Sequence, residues 1–275
     1  MKPARFDYAR PTTLAEALAL LAQPDTAVLA GGQSLMPMMN LRVARPALLV
    51  DINRLPLAGI TLAGGTLRIG ALARHAEVLA SPLVAQAAPL LPQALALVAH
   101  AAIRNRGTLG GSLSLADPAA ELPACMLALD ATFVVASAQG ERRIPAGDFF
   151  HGLYSTALAP GDLLLAAELP AAKPGWRFAF QEVARRHGDF AMAGLALALG
   201  PNAARLALCG VEPGQRRQPA AEAALTAGDL PAALAALGRA EAMDSPDLPA
   251  AQRIHLAQVL LRRAVTQTEA ADAAA

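Results

Sequence analysis

The chain has 275 residues, of which 55% are hydrophobic and 16% are charged, and its formal net charge is +1. This length exceeds that of a typical single domain, so we expect two or three folding units. The composition excludes a disordered chain, and the near-neutral charge argues against binding to nucleic acid or to an anionic membrane. The N-terminus lacks the apolar core of a signal peptide, and no apolar run reaches the roughly 18 residues of a membrane span. We therefore expect a cytoplasmic protein.

The first predicted unit covers residues 1–55. Thr13 and Glu16 have the spacing of a capping box, which predicts a helix from this point through Ala22. Short apolar runs at residues 26–30 and 48–52 predict two buried strands. The first of these strands leads directly into a pair of glycines, so this unit has a strand–loop–strand organisation.

The second predicted unit covers residues 56–173. Two apolar runs separated by Gly64-Gly65 predict a β-hairpin over residues 60–70. Asp117 followed by Pro118 predicts the start of a helix, with Asp117 as its N-cap. Further predicted helices cover residues 74–80 and 83–100, and further predicted strands cover residues 131–137 and 163–169.

The third predicted unit covers residues 174–275 and follows a linker rich in proline and glycine. Its apolar runs predict an antiparallel meander of three strands, and its remainder predicts two helices. The strands are expected at residues 176–183, 191–199 and 203–209, and the helices at residues 230–240 and 249–268. Residues 269–275 are expected to fray.

A pair of glycines occurs twice, as Gly31-Gly32 and as Gly110-Gly111. We call residues 28–35 the first glycine segment and residues 106–113 the second glycine segment. Glycine lets the backbone approach a ligand closely, and successive free N–H groups in such a turn form a nest that binds anions.

Side chains that can hydrogen-bond accompany both pairs, Gln33 and Ser34 in the first segment and Thr108 and Ser112 in the second. Two such segments predict that a phosphate group, such as the pyrophosphate of a dinucleotide, is held from two sides. The alternative is that both segments are ordinary turns between strands.

Several common catalytic and cofactor-binding patterns are missing. No G-x-G-x-x-G follows a strand, and G-x-x-x-x-G-K-[ST] does not occur. The five histidines lack metal-ligand spacing and are interpreted as surface or structural residues. Cys125 and Cys209 lack C-x-x-C spacing, which predicts buried free thiols instead of zinc or iron–sulfur ligands. Ser34 and Ser112 lie outside the G-x-S-x-G pattern of hydrolases, so we assign no catalytic residue and no metal ligand.

The neighbours of both glycine pairs resemble one protein family. Residues 30–42, Ala-Gly-Gly-Gln-Ser-Leu-Met-Pro-Met-Met-Asn-Leu-Arg, are similar to the first FAD loop of the flavin-binding medium subunit of molybdenum hydroxylases. Residues 103–123 resemble its second FAD loop, and residues 6–8 and 185–191 resemble further landmarks. This family includes the medium subunit of aerobic carbon monoxide dehydrogenase and the flavin domain of xanthine dehydrogenase. The resemblance extends over nearly the whole chain.

The resemblance implies an α+β fold of the vanillyl-alcohol oxidase (p-cresol methylhydroxylase) type. Two lobes would grip FAD between them, and a smaller C-terminal α+β domain with an antiparallel three-stranded sheet would follow. The three units would be a first FAD-binding lobe at residues 1–55, a second at 56–173 and the C-terminal domain at 174–275.

The resemblance also implies the residues that hold FAD. Both glycine segments would bind the pyrophosphate, Glu121 or the nearby Asp117 would bind the adenosine ribose, and Leu164 would meet the flavin ring. Gln181 stands where some relatives have a lysine near the flavin. The implied cofactor-binding residues are Leu29, Ala30, Gly31, Gly32, Gln33, Ser34, Leu35, Thr108, Gly110, Gly111, Ser112, Asp117, Glu121, Leu164 and Gln181.

The function that the resemblance implies is electron transfer within a complex. A molybdopterin-containing large subunit would oxidise the substrate, and a small subunit with [2Fe–2S] clusters would pass electrons to FAD in this chain. The electrons would leave to NAD or another acceptor, and the heterotrimer would dimerise. Two alternatives remain open, a self-sufficient flavin oxidoreductase of the same fold and a non-enzymatic nucleotide-binding scaffold.

Arg104, Asn105 and Arg106 have two open interpretations. They could position the second glycine segment or contact an adjacent redox subunit, or they could simply cap carbonyl groups and reach solvent.

Overall fold

Three sheets, of three, five and three strands, organise the fold, and a two-stranded hairpin accompanies them within residues 1–273, which the computed structural model describes. The first sheet is parallel and the others are antiparallel. The predicted α+β class is confirmed.

A parallel sheet forms the first lobe. Its elements are β1 (Asp7–Ala9), α1 (Leu14–Leu21), β2 (Thr26–Leu29), α2 (Leu35–Asn40) and β3 (Leu48–Asp51). The strand order is β1–β3–β2. The predicted capping box begins α1 in a shifted form. The Glu16 N–H donates to Thr13 Oγ1 at 3.3 Å, whereas Glu16 Oε2 accepts from the N–H of Thr12 at 2.9 Å. The amphipathic α1 then buries Ala17 and Leu21 in a cluster with Val50 of β3.

A five-stranded antiparallel sheet and six helices form the second lobe. The elements in chain order are β4 (Ile60–Ala63), β5 (Thr66–Gly70), α3 (His75–Ala80), α4 (Pro82–Ala87), α5 (Leu90–Leu97), α6 (Ala101–Arg104), α7 (Leu109–Leu115), α8 (Glu121–Ala128), β6 (Thr132–Ser137), β7 (Gly140–Pro145), a 3₁₀ turn (Ala146–Asp148), β8 (Phe150–Gly152), β9 (Ser155–Thr156) and β10 (Leu163–Pro170). The sheet order is β4–β5–β10–β6–β7. The predicted hairpin is confirmed, with Gly64 and Gly65 both at positive φ in its turn.

The single helix predicted over residues 83–100 is wrong, because α4 and α5 are separate helices. Ala88 lies between them with φ −144° and ψ 62°, outside the helical region. The ring of Pro89 disfavours the helical conformation for the residue that precedes it, so the chain turns at this point.

The predicted N-cap at Asp117 is also wrong. Helix α8 begins at Glu121, and its N-cap is Ala120. Asp117 Oδ1 instead accepts a hydrogen bond from the N–H of Ala119 at 2.9 Å. A side-chain turn of this kind satisfies the local backbone without a helix, which delays the helix start.

The C-terminal part is a three-stranded meander covered by helices. Its elements are β11 (Arg177–Val183), β12 (Ala193–Gly200), β13 (Ala203–Cys209), α9 (Pro219–Thr226), α10 (Leu230–Leu237) and α11 (Ala250–Ala273). The predicted meander is confirmed by its antiparallel registers. Helix α11 continues to Ala273, five residues beyond the predicted helix end at residue 268; fraying of residues 269–275 stays a prediction, and the last two of them lie outside the described residues. Neither α11 nor any other helix in residues 1–273 is long and apolar enough to cross a membrane.

Strand β10 is buried on both faces and separates two hydrophobic clusters. Leu163, Leu165 and Ala166 pack toward the first lobe, whereas Leu164 and Ala167 pack toward α5, α8 and the C-terminal sheet. Successive side chains of β10 alternate between the two clusters, except at Leu165 and Ala166, which both pack toward the first lobe where the register with β6 shifts. This bulge lies next to the residues that enter the site described below, which is a common place for bulges.

Candidate cofactor site

A cleft of about 630 Å³ lies where the two lobes and the C-terminal part meet. Both glycine segments line it, together with the start of β10 and residues 188–190. The fold therefore brings together segments that are far apart in the sequence. The predicted site residues that line the cleft are Ala30, Gly31, Gly32, Gln33, Ser34, Leu35, Thr108, Gly110, Gly111, Ser112, Asp117, Glu121 and Leu164.

Two predicted site residues do not line the cleft. Leu29 is the last residue of β2 and is paired with Asp51 of β3. Gln181 lies in β11, where its Nε2 donates to Gln267 Oε1 of α11 at 2.6 Å. The cleft geometry therefore gives no support to a cofactor contact at these two positions.

The first glycine segment presents a row of free backbone donors. Within the described part of the chain, the N–H groups of residues 31–35 donate to no acceptor. Gly32 has φ +72°, a left-handed conformation that an L-residue rarely adopts. The Ser34 hydroxyl makes no capping bond to α2, and Gln33 Nε2 donates back to Gly31 O at 2.9 Å. Consecutive unpaired N–H groups in such a turn suit an anionic ligand.

The second glycine segment has a different structure from the first, which corrects the expectation of two similar nests. Gly110 and Gly111 belong to the first turn of α7, and Thr108 is its N-cap. The N–H groups of residues 109–112 are all used: Leu109 N–H to Ala73 O (3.0 Å), Gly110 N–H to Ala71 O (2.8 Å), Gly111 N–H to Thr108 Oγ1 (3.1 Å) and Ser112 N–H to Thr108 O (3.1 Å). The Thr108 N–H has no acceptor among the described residues, and the cleft lining also includes Ser112 of this segment and Ser114 just after it.

The glycines also allow the two segments to touch. A Cβ atom on Gly31 would lie 2.3 Å from the carbonyl oxygen of Arg106 and 2.9 Å from Gly107 Cα. A Cβ on Gly110 would lie 2.6 Å from the Ala71 Cβ. All three distances are shorter than real contacts, so backbone packing between and within the lobes requires glycine at these positions.

Glu121 is a buried acid in the cleft wall. Burial raises the pKa of its carboxyl to about 8, and the nearby charges of Glu182 and Asp117 add to this effect. The carboxyl is therefore mostly protonated at neutral pH and can donate as well as accept a hydrogen bond. Among the described residues that line the cleft, none is a lysine or an arginine.

His75 is a cleft residue that sequence reasoning did not single out. It is buried, and its Nε2 lies 3.0 Å from the carbonyl oxygen of Thr108, so its ring supports the second glycine segment. Burial lowers the pKa of the imidazole to about 4, which leaves it neutral at physiological pH. Its Nδ1 has no partner among the described residues. No motif marks this histidine in the sequence.

Phe190 supplies an exposed aromatic ring at the cleft. Its side chain is 73% exposed although it lines the cavity. The loop that carries it is held against the second lobe, because a Cβ on Gly188 would lie 2.6 Å from the carbonyl oxygen of Ala99. The sequence marked residues 185–191 as a landmark without assigning this role.

Arg104 and Arg106, close to the start of the second glycine segment, differ in what their side chains do. Arg104 Nη1 donates to the carbonyl oxygens of Val98 and Ala99 at 2.7 Å and 3.1 Å, which is a capping role. The Arg106 carbonyl accepts from Arg74, and the Arg106 side chain is exposed. A contact with a redox subunit stays a prediction.

The two cysteines are buried free thiols, as predicted. Burial raises the pKa of both thiols well above the ordinary range. Within residues that the structure describes, no cluster of three or more His, Cys, Asp or Glu residues could hold a metal ion.

The family model described as "FAD binding domain in molybdopterin dehydrogenase" matches residues 4–172. The chain is 48% identical over 199 residues to the 6-hydroxypseudooxynicotine dehydrogenase complex subunit alpha of Paenarthrobacter nicotinovorans, covering 71% of this chain and 67% of that protein. It is 34% identical over 284 residues to the carbon monoxide dehydrogenase medium chain of Afipia carboxidovorans, covering 98% and 99%. A solved structure of carbon monoxide dehydrogenase from Hydrogenophaga pseudoflava matches with a TM-score of 0.94 and 37% identity, covering 98% and 99%.

The fold and the cleft define a flavoprotein component of an oxidoreductase. Because the family model matches more than half of the chain, the chain belongs to the FAD-binding medium subunits of the molybdenum hydroxylases, as the sequence resemblance predicted. FAD is the cofactor of this family, and the free N–H groups of residues 31–35 fit its anionic pyrophosphate.

Proposed function

We propose that this chain carries electrons between subunits of a molybdenum hydroxylase complex. In this proposal, a molybdopterin-containing large subunit oxidises the substrate, and a [2Fe–2S] small subunit delivers the electrons to FAD in this chain. NAD or another acceptor then removes them. The observation that carries the proposal is the likeness to carbon monoxide dehydrogenase over 98% of this chain and 99% of the matched chain.

The relatives support a role within an assembly. One is named a dehydrogenase complex subunit and another a medium chain, and their names give different substrates. The substrate of the complex is therefore expected to be selected outside this chain. We propose the same arrangement here, a heterotrimer of large, medium and small subunits that dimerises.

Bound FAD supplies reversible electron transfer, and the chain supplies binding and orientation. The backbone donors of residues 31–35 would bind the pyrophosphate, and the Ser112 hydroxyl would add a donor from the other lobe. Glu121, in the cleft wall, would hydrogen-bond the adenosine ribose, and Leu164, beside the bulge in β10, would lie at the flavin ring. Phe190 would shield one face of the ring from water, because it is an exposed aromatic of the cavity wall.

Reduction of the flavin tests the proposal. The chain loaded with FAD is mixed anaerobically with a pre-reduced [2Fe–2S] partner subunit, and the flavin absorbance is followed in a stopped-flow instrument. We expect bleaching with the reduced partner and none with the oxidised partner. Rapid reduction by a small organic substrate without any partner would instead support a self-sufficient oxidoreductase.

The acceptor is tested on the same preparation. After reduction, NAD is added and recovery of the oxidised flavin spectrum is measured, with a quinone and a dye as comparison acceptors. Recovery with NAD at a rate that matches turnover of the complex supports NAD as the acceptor. Recovery with another acceptor alone assigns the electrons elsewhere and leaves the transfer role intact.

A further inference from the structure

Arg74 connects the two lobes at the point where the glycine segments meet. It lies immediately before α3 in the second lobe. Its Nη1 donates to the carbonyl oxygen of Arg106 in the second glycine segment, and its Nη2 donates to Oδ1 of Asn53 in the first lobe at 2.6 Å. One guanidinium group therefore holds acceptors from both lobes.

Asn53 carries this connection to the first glycine segment. Its Nδ2 donates to the carbonyl oxygen of Ala30 at 2.9 Å and to Asp51 Oδ1 at 2.6 Å. An amide nitrogen has two N–H donors, so both are used and the amide oxygen is left to face Arg74. Asp51 is itself anchored, because the Tyr8 hydroxyl donates to its Oδ2 at 2.6 Å.

The carbonyl that Arg74 holds is also the atom against which the first glycine segment rests. A Cβ on Gly31 would lie 2.3 Å from the Arg106 carbonyl oxygen, so the two backbones are already in contact there. Neither Asn53 nor Arg74 lines the cleft. Any effect of these two side chains on a bound cofactor must therefore act through the glycine segments.

We propose that Asn53 and Arg74 form a positioning bridge, which holds the two glycine segments at the spacing that the pyrophosphate of FAD requires. This inference rests on the proposed placement of the pyrophosphate between the segments. The planar fork of arginine suits the task, because it donates to two acceptors at once in fixed geometry, whereas lysine has a single charged nitrogen on a flexible stem.

The test measures the affinity of the full-length chain for FAD and for ADP, together with thermal unfolding of the chain without ligand. ADP carries the pyrophosphate without the flavin ring, so it reports on the pyrophosphate site alone. The variants are Arg74→Met and Arg74→Lys. The matched control is Arg68→Met, since Arg68 bonds Glu168 at 2.6 Å on the five-stranded sheet and lies outside the cleft lining.

We expect Arg74→Met to lower the affinity for FAD and the affinity for ADP by the same factor, about tenfold or more, because two charge-assisted hydrogen bonds are lost. Arg74→Lys should lower both affinities less than Arg74→Met does, and Arg68→Met should leave both affinities unchanged. The unfolding midpoint without ligand should fall no further in Arg74→Met than in Arg68→Met. Wild-type affinity for both ligands in Arg74→Met and Arg74→Lys would overturn the proposal.

A double-variant cycle separates a bridge from two independent effects. Asn53→Leu removes the amide while keeping a similar side-chain size. If the two residues act as one bridge, the double variant Asn53→Leu/Arg74→Met should bind FAD no more weakly than the weaker-binding single variant. If instead the losses of FAD-binding free energy in the two single variants add up in the double variant, the bridge is contradicted. If Arg74→Met does not fold, Arg74→Lys and Asn53→Leu decide the question by the same comparison.

The outcomes also separate this bridge from the proposed electron-transfer role. A wild-type chain that binds neither FAD nor ADP would overturn the cofactor placement and the bridge with it. Failure of a reduced partner to bleach a tightly bound flavin would count against electron transfer alone.

Discussion

Gly31 shows how one missing methyl group shapes the cofactor cleft. Its backbone rests on the Arg106 carbonyl, and the N–H groups of residues 31–35 have no acceptor within residues 1–273. The residue thus links the packing between the lobes to the row of donors that suits an anion.

Gly31→Ala should therefore separate the segments. A Cβ atom at 2.3 Å from a carbonyl oxygen forces the backbone to move, and we expect a loss of about 1–3 kcal/mol in the free energy of unfolding and at least a tenfold rise in the Kd for FAD. Denaturant unfolding and FAD titration measure both effects. The matched control is Gly147→Ala, because nothing lies within 4 Å of its Cβ position. Equal behaviour of the two variants would show that the contact is not needed.

Glu121 makes a pH-dependent prediction. The pKa of its carboxyl is about 8 in the folded chain, against an ordinary value of 4.5, so the folded state holds a proton that the unfolded state releases between these values. Stability of the ligand-free chain must then fall as the pH rises through this window, by at most about 1.4 kcal/mol per pH unit from this group.

Glu121→Gln removes this titration while it keeps the size of the side chain. The unfolding free energies of the wild-type chain and of Glu121→Gln are measured between about pH 5 and pH 8. They should be similar at the acidic end and differ increasingly toward the basic end, where the variant should be the more stable protein. A difference that does not change with pH would mean that Glu121 is ionised in the folded chain.

At the scale of elements, Thr108 and α7 make the next prediction. The Thr108 hydroxyl caps the helix by accepting from the Gly111 N–H at 3.1 Å, and the side chain is buried. Thr108→Val keeps the shape but leaves that N–H unpaired, so we expect a loss of about 1–2 kcal/mol in unfolding free energy. Thr108→Ser keeps the cap and should lose less. Denaturant titration of the two variants gives the comparison, and a smaller loss for Thr108→Val would contradict the capping role.

The elements that the sequence predicted well are those with a strong local pattern. The capping box of α1, the Gly64-Gly65 hairpin and the three-stranded meander each follow from a few adjacent residues. β7 was missed because its residues Gly-Glu-Arg-Arg-Ile-Pro are mostly polar. This strand is a sheet edge whose one partner within residues 1–273 is β6, and its Arg143 bonds Glu168 at 3.1 Å. Charged residues are common on such edges.

The site shows the same division between local and long-range information. The glycine pairs pointed to two segments that both line the cleft, but their chain neighbours could not show that Gly110 N–H would bond Ala71 O or that His75 would support Thr108. These partners are distant in the sequence. Asn53 and Arg74 were missed for the same reason, because their bridge exists only after the two lobes have packed.

At the scale of the whole molecule, the cleft depends on all three predicted units. The first two carry the glycine segments, and the third carries Phe190. The family match ends at residue 172, yet the hydrophobic cluster of the second lobe includes Phe180 and Cys209 from the C-terminal sheet. The Gln93 side chain of α5 also bonds both the N–H of Phe180 and the carbonyl of Phe178, at 3.0 Å and 3.2 Å. The predicted boundary at residues 173–174 is therefore crossed by one continuous core.

A shared core predicts that the second lobe and the C-terminal part unfold together. Phe180→Ala should cost about 3–5 kcal/mol, because it empties space in that core, and Leu260→Ala about 2–5 kcal/mol within the C-terminal cluster. Calorimetry of the ligand-free chain should show both variants lowering the same single transition, and residues 1–173 alone should fail to fold. Two outcomes would contradict this prediction: two separate transitions, of which Leu260→Ala lowers only one, or a stable folded fragment of residues 1–173. Either would mean that the FAD-binding lobes fold without the C-terminal part, and that the cleft between them forms before Phe190 is added to its wall.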